Sequence, residues 1–169
     1  MGFKKTSDLI AISFDVDESG ANTFTQDTVA LQLDVLNNEI FVVLAADLNL
    51  SAPDNVGGTN SEVRSSITAT TQTAIQNLSN TNTIAVAQDA IRGDAAQPSN
   101  SVAFTRAAEE SYSGMLDYIA LIATNNFFVQ VKGNGNAGAK GVQGRVYGYR
   151  ARADASTYAA LVQSEVLSA

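Results

Sequence analysis

The stretch VALQLDVLNNEIFVVLAADLNL, residues 29–50, reads as a β-hairpin. With Asn37-Asn38 as a two-residue turn, Val35 faces Ile40, Leu33 faces Val42 and Leu31 faces Leu44, so every facing pair is apolar. Turn chemistry, register and face agree, as a half-buried antiparallel sheet requires, because a one-residue slip would turn the whole set outward. The expectation is a β scaffold.

Alternation continues on both sides of this stretch. Residues 9–16 set Ile10, Ile12, Phe14 and Val16 on one face, a first strand that ends in the turn Asp17-Glu18-Ser19-Gly20. The hairpin strands are residues 28–36 and 39–50, the second ending at Pro53 and Asp54. After a Gly-rich loop at 56–60, the run from Val63 to Ile75 alternates Val63 and Ile67 with Arg64, Ser66, Thr68, Thr70 and Gln72. So many small hydroxyl residues point to a face packed against something. Asn77 to Asn82 reads as a turn, Thr83 to Ala90 as a strand and 93–101 as a polar loop.

Phe104 to Ser113 reads as a short helix stopped by Gly114, and Leu116 to Ala123 fits helix or strand. Phe127 to Lys132 and Val142 to Arg152 read as strands on either side of a Gly/Asn/Ala loop at 133–141. Asp154 is placed to cap a terminal helix over Ala155 to Leu167, with Tyr158, Leu161, Val162 and Glu165 along one side. The expected fold is all-β: one domain, residues 1–169, forming a single jelly roll or related antiparallel sandwich of about eight strands. One short internal helix and one C-terminal helix complete it.

Composition narrows the function classes. The 169 residues are 45% hydrophobic but only 16% charged, where roughly a quarter is usual for a soluble chain. A surface rich in Asn, Gln, Ser and Thr suits a molecule covered by neighbours, which would also tie down its chain ends. There is no cysteine and no histidine, which removes thiolate chemistry, Cys-based metal sites and the usual Ser-His triad. No enzyme activity and no cofactor are expected. The longest apolar run, Ile40 to Ala46, is far short of the ~20 residues that span a bilayer, and Asp8 and Asp15 break any signal-peptide core. The net charge of −7 is uneven: Lys132, Lys140, Arg145, Arg150 and Arg152 form an acid-free strip on an otherwise acidic chain. Such a strip steers toward another subunit's acidic face or an anionic partner, or protects a solvated edge strand.

Five further patterns bear on sites. Gly133, Gly135 and Gly138 spell G-x-G-x-x-G, but a strand rather than a helix follows, so no helix N-terminus meets a pyrophosphate. Asp15, Asp17, Ser19 and Gly20 match half a calcium loop. Its twelfth position is Gln26 rather than an acid, with Asp27 next door, so an acidic turn is the default. Asn77-Leu78-Ser79 is a glycosylation sequon of the kind short polar stretches meet by chance. Tyr147 and Tyr149 interleave with Arg145, Arg150 and Arg152, the ingredients of single-strand nucleic-acid binding, although one strand is a small footprint and an intersubunit contact is favoured. Glu109 and Glu110 point apart on adjacent helix positions, a poor acid/base pair. No catalytic, cofactor-binding or metal residue is therefore assigned.

The hairpin of residues 29–50, the Phe127 to Lys132 strand with its Gly/Asn loop, and the strand from Val146 to Arg152 running into a terminal helix together give a pattern that resembles a known family. It is that of the small single jelly-roll capsid proteins of icosahedral, tailless, membrane-containing viruses of prokaryotes. The likeness lies in the arrangement of strands rather than in a motif, so it carries over no functional residue. It implies a virion location, self-assembly into an icosahedral shell, a second capsid protein as companion and contact with an internal viral membrane. It implies no specific nucleic acid and no small-molecule substrate. Loops 51–62, 93–101 and 133–141 and the terminal helix would make the contacts. The alternatives are a phage tail-tube or capsid-decoration protein and a cell-surface carbohydrate-binding sandwich, the latter disfavoured by the absence of Trp.

Overall fold

The computed structural model describes residues 2–107 and 116–168. In chain order its elements are β1 (Phe3–Lys5), β2 (Ile10–Asp17), β3 (Thr25–Ala30), a 3-10 turn (Val35–Asn37), β4 (Glu39–Leu50), β5 (Ser61–Thr68), β6 (Thr83–Gly93), β7 (Ser101–Arg106), β8 (Ala120–Ile122), β9 (Asn126–Asn134), β10 (Gly141–Ala153) and α1 (Ala155–Leu167). The first sheet runs β2–β10–β4–β8, with β1 continuing the β2 edge along β10, and the second runs β3–β9–β5–β6–β7. Every pairing is antiparallel. With β1 and β7 set aside, the other eight strands interleave between the sheets as a jelly roll does, as the alternating patterns led one to expect. The core between the sheets is built from the inward residues of both, among them Phe14, Phe41, Val63, Ile67, Phe127 and Val146. Phe14 meets Phe127 edge to face at 6.1 Å.

The hairpin expected over residues 29–50 does not form. β3 pairs with β9 in the second sheet, whereas β4 pairs with β10 and β8 in the first, so residues 31–38 cross from one sheet to the other. Gln32 and Asn38 both adopt left-handed backbone (φ 53° and 56°), which breaks an extended strand. Leu31 is 2% exposed and Leu33 is likewise buried, but they close the end of the core instead of facing β4. Their backbone is held by the β8–β9 connection: Asn125 accepts from the Leu31 amide through its carbonyl (2.8 Å) and from the Leu33 amide through Oδ1 (2.6 Å). Leu36, at the crossing's tip, is 92% exposed. The alternation was real, but it reported burial and not the identity of the pairing strand.

The first half of β4 is buried on both faces. Phe41 and Val43 enter the inter-sheet core, and Ile40 and Val42 lie in a second cluster with Ala151, Tyr158, Leu161 and Val162 beneath α1. The terminal helix is as expected, with Asp154 Oδ1 accepting from the Thr157 amide at 2.7 Å. Glu165 is buried and accepts from the amides of Ala123 (2.7 Å) and Thr124 (3.1 Å), pinning the helix to the β8–β9 connection. The start of the chain is tied down by its own β10, with Asp154 N donating to Gly2 O at 2.8 Å.

Two other expectations need correction. Phe104, Thr105 and Arg106 are strand, not helix, because β6 extends to Gly93 and its open edge takes them up as β7; residues 108–113 of that expected helix lie outside the described residues. The long Val63 to Ile75 strand stops at Thr68. Residues beyond it fold back over the hydroxyl-rich outer face, where Ser66, Thr68, Gln26 and Gln130 form a hydrogen-bonded group: Ser66 Oγ donates to Gln130 Oε1 (2.7 Å), and Gln130 Nε2 donates to Thr68 Oγ1 (2.7 Å) and Gln26 Oε1 (2.9 Å). The part of that face bearing Ser66 and Thr68 is covered by the chain itself.

Two outcomes follow from this packing. A Cβ at Gly148 would lie 2.3 Å from Val42 O and 2.6 Å from the Phe41 ring, at the bulge where β10 shifts register on β4. Gly148→Ala is expected to destabilise the fold by about 2 kcal/mol or more in denaturant titrations. Burial holds the Glu165 carboxyl above the usual glutamate range, outweighing the amide donors that favour its ionised form. Helix docking is therefore at full strength below the ordinary Glu pKa and weakens as pH rises through the elevated one. Thermal unfolding across this range is expected to show that slope in the natural chain and to lose it in Glu165→Gln.

Candidate functional site

The connections expected to make contacts come together. Segments 51–60, 94–100 and 135–140, joined by 18–24, lie at the same end of the sandwich, because β2, β4, β6 and β9 all finish there. They are braced from behind. Asn136, 6% exposed, uses its side chain and backbone at once: Nδ2 donates to Glu62 O (2.9 Å), Oδ1 accepts from the Asp54 amide (2.9 Å), its amide donates to Asn22 Oδ1 (2.9 Å) and its carbonyl accepts from Asn22 Nδ2 (2.8 Å). Buried Glu18 accepts from the amides of Gly133 and Lys140. Asp54 pairs with Lys140 Nζ at 2.7 Å and accepts from the Ala137 amide at 2.9 Å. Lys140 first, and Ala137 next, hold the Asp54 carboxyl below its usual range, so this clamp stays closed until pH falls through that lowered value.

The glycine-rich letters serve this bracing. Gly135 has φ +69°, and a Cβ there would meet Asn60 O at 2.3 Å; one at Gly133 would meet Asn136 Nδ2 at 2.6 Å. β10, a strand, follows the loop where the fingerprint would need a helix. The loop tips stay exposed while their roots are fixed, an arrangement suited to presenting a shaped, rigid end to another molecule.

The remaining candidates are dispersed. Asp15 and Asp17 stay on the extended β2, paired opposite Gln143 and Gly141, so the coil of a calcium loop is not built around them. Among the described residues no cluster of three or more metal-ligating side chains occurs. Gln26 belongs to the buried group above, and Asp27 accepts from the neighbouring Thr28 amide. Asn77 lies in an exposed turn, its Oδ1 accepting from the Ser79 amide at 2.9 Å. Glu109 and Glu110 lie outside the described residues.

The basic strip of the sequence is not a strip in space. Lys132 is on the outer face of the second sheet, Lys140 is clamped to Asp54, and Arg150 Nη2 donates to Leu31 O at 2.9 Å. Arg145 is on the outer face of the first sheet, with Nε donating to Ser13 Oγ at 3.1 Å. There it borders an open hollow of about 640 Å³ with Asp15, Asp47, Asn49, Gln143 and Tyr147. Tyr149 is drawn away under α1, its ring 4.9 Å from Lys5 Nζ, so the Tyr/Arg series does not share one surface. Sequence reading missed a different gathering: Arg64, Arg92, Arg106 and Lys132, from four strands, share the outer face of the second sheet. Alternation put Arg64 outward, but only the strand order brings the others beside it.

The chain is similar in structure to solved chains of Desmodium yellow mottle tymovirus (TM-score 0.32, 12% identity, covering 88% of this chain and 91% of that one) and turnip yellow mosaic virus (0.30, 7%, 86% and 82%). A structure titled as the empty head of turnip yellow mosaic virus gives 0.29 and 8%. No family model and no curated protein matches it.

Asn136→Ala would leave the Asp54 amide and the Glu62 carbonyl without partners, each loss costing about 1–3 kcal/mol. The expected result is destabilisation of about 2–4 kcal/mol, with amide exchange accelerated in residues 51–60 before the strands.

Proposed function

We propose that this chain is a virion structural protein, a capsid subunit of residues 1–169 forming one jelly-roll domain that self-assembles into an icosahedral shell. The observation that carries the reading is the braced loop end. Three connections distant in sequence are locked at one end by Asn136, Glu18 and Asp54, with their tips left free on a two-sheet scaffold. Rigid ends and edges present the same shape in every copy, which symmetric assembly multiplies. The sparse charge and lack of Cys and His agree with a structural rather than a catalytic role.

The finer reading is a capsid protein of the icosahedral, tailless, membrane-containing viruses of prokaryotes, located in the virion beside a second capsid protein and over an internal membrane. It is supported by the jelly-roll connectivity with an appended C-terminal helix.

Electron microscopy of the purified full chain, alone and mixed with companion virion proteins, tests the role. Closed shells or their capsomer fragments are the expected result. Filaments or stacked rings would transfer the chain to the tail-tube class, and a monomer that stays monodisperse at high concentration in both preparations would end the capsid reading.

A further inference from the structure

We propose that the outer face of the second sheet docks, head to tail, on the acidic outer face of the first sheet of a second copy of this chain; this rests on the assembly role above. The register aligns Lys132, Arg64, Gln88 and Arg106 in one row across β9, β5, β6 and β7. Neighbouring strands are about 4.8 Å apart, so Lys132 and Arg64 sit directly opposite each other with the same sign, a pairing that destabilises a sheet unless an anion comes between or above them. Neither makes an ion pair among the described residues. Arg92 adds a fourth cation. Glu62, on the same face, is engaged by Arg92 (3.4 Å) and Gln88 Nε2 (2.8 Å).

Three hollows adjoin this row. One of about 290 Å³ is bordered by Arg64, Leu78 and Arg106, one of about 280 Å³ by Glu62, Arg64 and Lys132, and one of about 180 Å³ by Arg92, Phe104 and Arg106. Phe104 is 58% exposed and Val102 is also exposed on the same side, so apolar contact surface lies at the margin of the charge.

Charge complementarity selects the occupant. Over the whole chain, 17 acids stand against 10 bases. That excess repels a long polyanion but supplies acidic surface on every copy. On the opposite side of the sandwich, the outer face of the first sheet presents Asp15, Asp17 and Asp47 around Arg145. Two copies meeting cationic face to cationic face would set like charges together, so a two-fold dimer through this surface is disfavoured. Second sheet on first sheet is a heterologous contact, and repeating it generates a ring when the rotation closes.

The test is a charge swap in the full chain, followed by sedimentation velocity at low and high salt. Arg64→Glu with Lys132→Glu is expected to weaken association on the order of tenfold or more, Asp15→Lys with Asp47→Lys to do the same, and all four together to restore it. Circular dichroism establishes that each variant is folded. As a second measure that needs no variant, carbodiimide coupling of mixed ¹⁴N and ¹⁵N natural chains is expected to join Lys132 of one copy to Asp15, Asp17 or Asp47 of another. If particles form and the Arg64/Lys132 reversal leaves association unchanged, the contact is wrong while the assembly role stands. If that reversal spares association but abolishes binding of a labelled oligonucleotide, the face serves nucleic acid and the contact is likewise wrong. If the natural chain never associates, the assembly role itself falls.

Discussion

The absence of any solvent face on the first half of β4 is the constraint from which the rest of the architecture follows. Phe41 and Val43 need an opposing sheet and Ile40 and Val42 need a cover on the other side, so this strand must lie inside a layered structure. The second sheet supplies one layer and α1 the other. A strand buried on both faces cannot also fold back on its predecessor as a simple two-stranded ribbon with one wet side. Residues 31–38 consequently leave the first sheet, and β3 finds its partner in β9. Burying Glu165 against the amides of Ala123 and Thr124 then fixes where the cover sits.

The same sandwich separates two kinds of surface. At the loop end, polar groups are satisfied internally, around Asn136, Glu18 and the Asp54–Lys140 pair, which removes the conformational freedom that loops of this length usually retain. On the sheet faces, polar groups point outward and differ in sign: cations cluster on the second sheet and acids on the first. A body of this kind is suited to binding with little loss of entropy. It is also directional, because its two broad faces are not interchangeable.

Much of this was legible in the residues, element by element. The inward set of β2, the termination at Pro53, the strands around the Gly/Asn loop and the Asp154 cap all appear where local chemistry placed them. The failures share one cause. Leu31 and Leu33 were correctly buried and wrongly paired, because an alternating apolar pattern is satisfied by any apolar surface. Phe104 has neighbours of high helix propensity and still joined a strand, because the unpaired edge of β6 offered its backbone hydrogen bonds that a short helix would have had to find alone. The consecutive cations from Lys132 to Arg152 dispersed, because one long strand sends alternate side chains to opposite faces and its flanking loop to one end.

By itself, then, the sequence determined periodicity: which side chains are turned inward, where strands stop, and that a helix begins after Asp154. Period and capping are local properties, set by backbone geometry within a few residues. Only the tertiary structure decided which strand lies beside which, and with it the row of Lys132, Arg64 and Arg106 and the meeting of three distant loops. Backbone hydrogen bonds are the same for every residue type, so strand partners are chosen by the closure of the whole sandwich around its core, and surfaces assembled across strands exist only once that closure has happened.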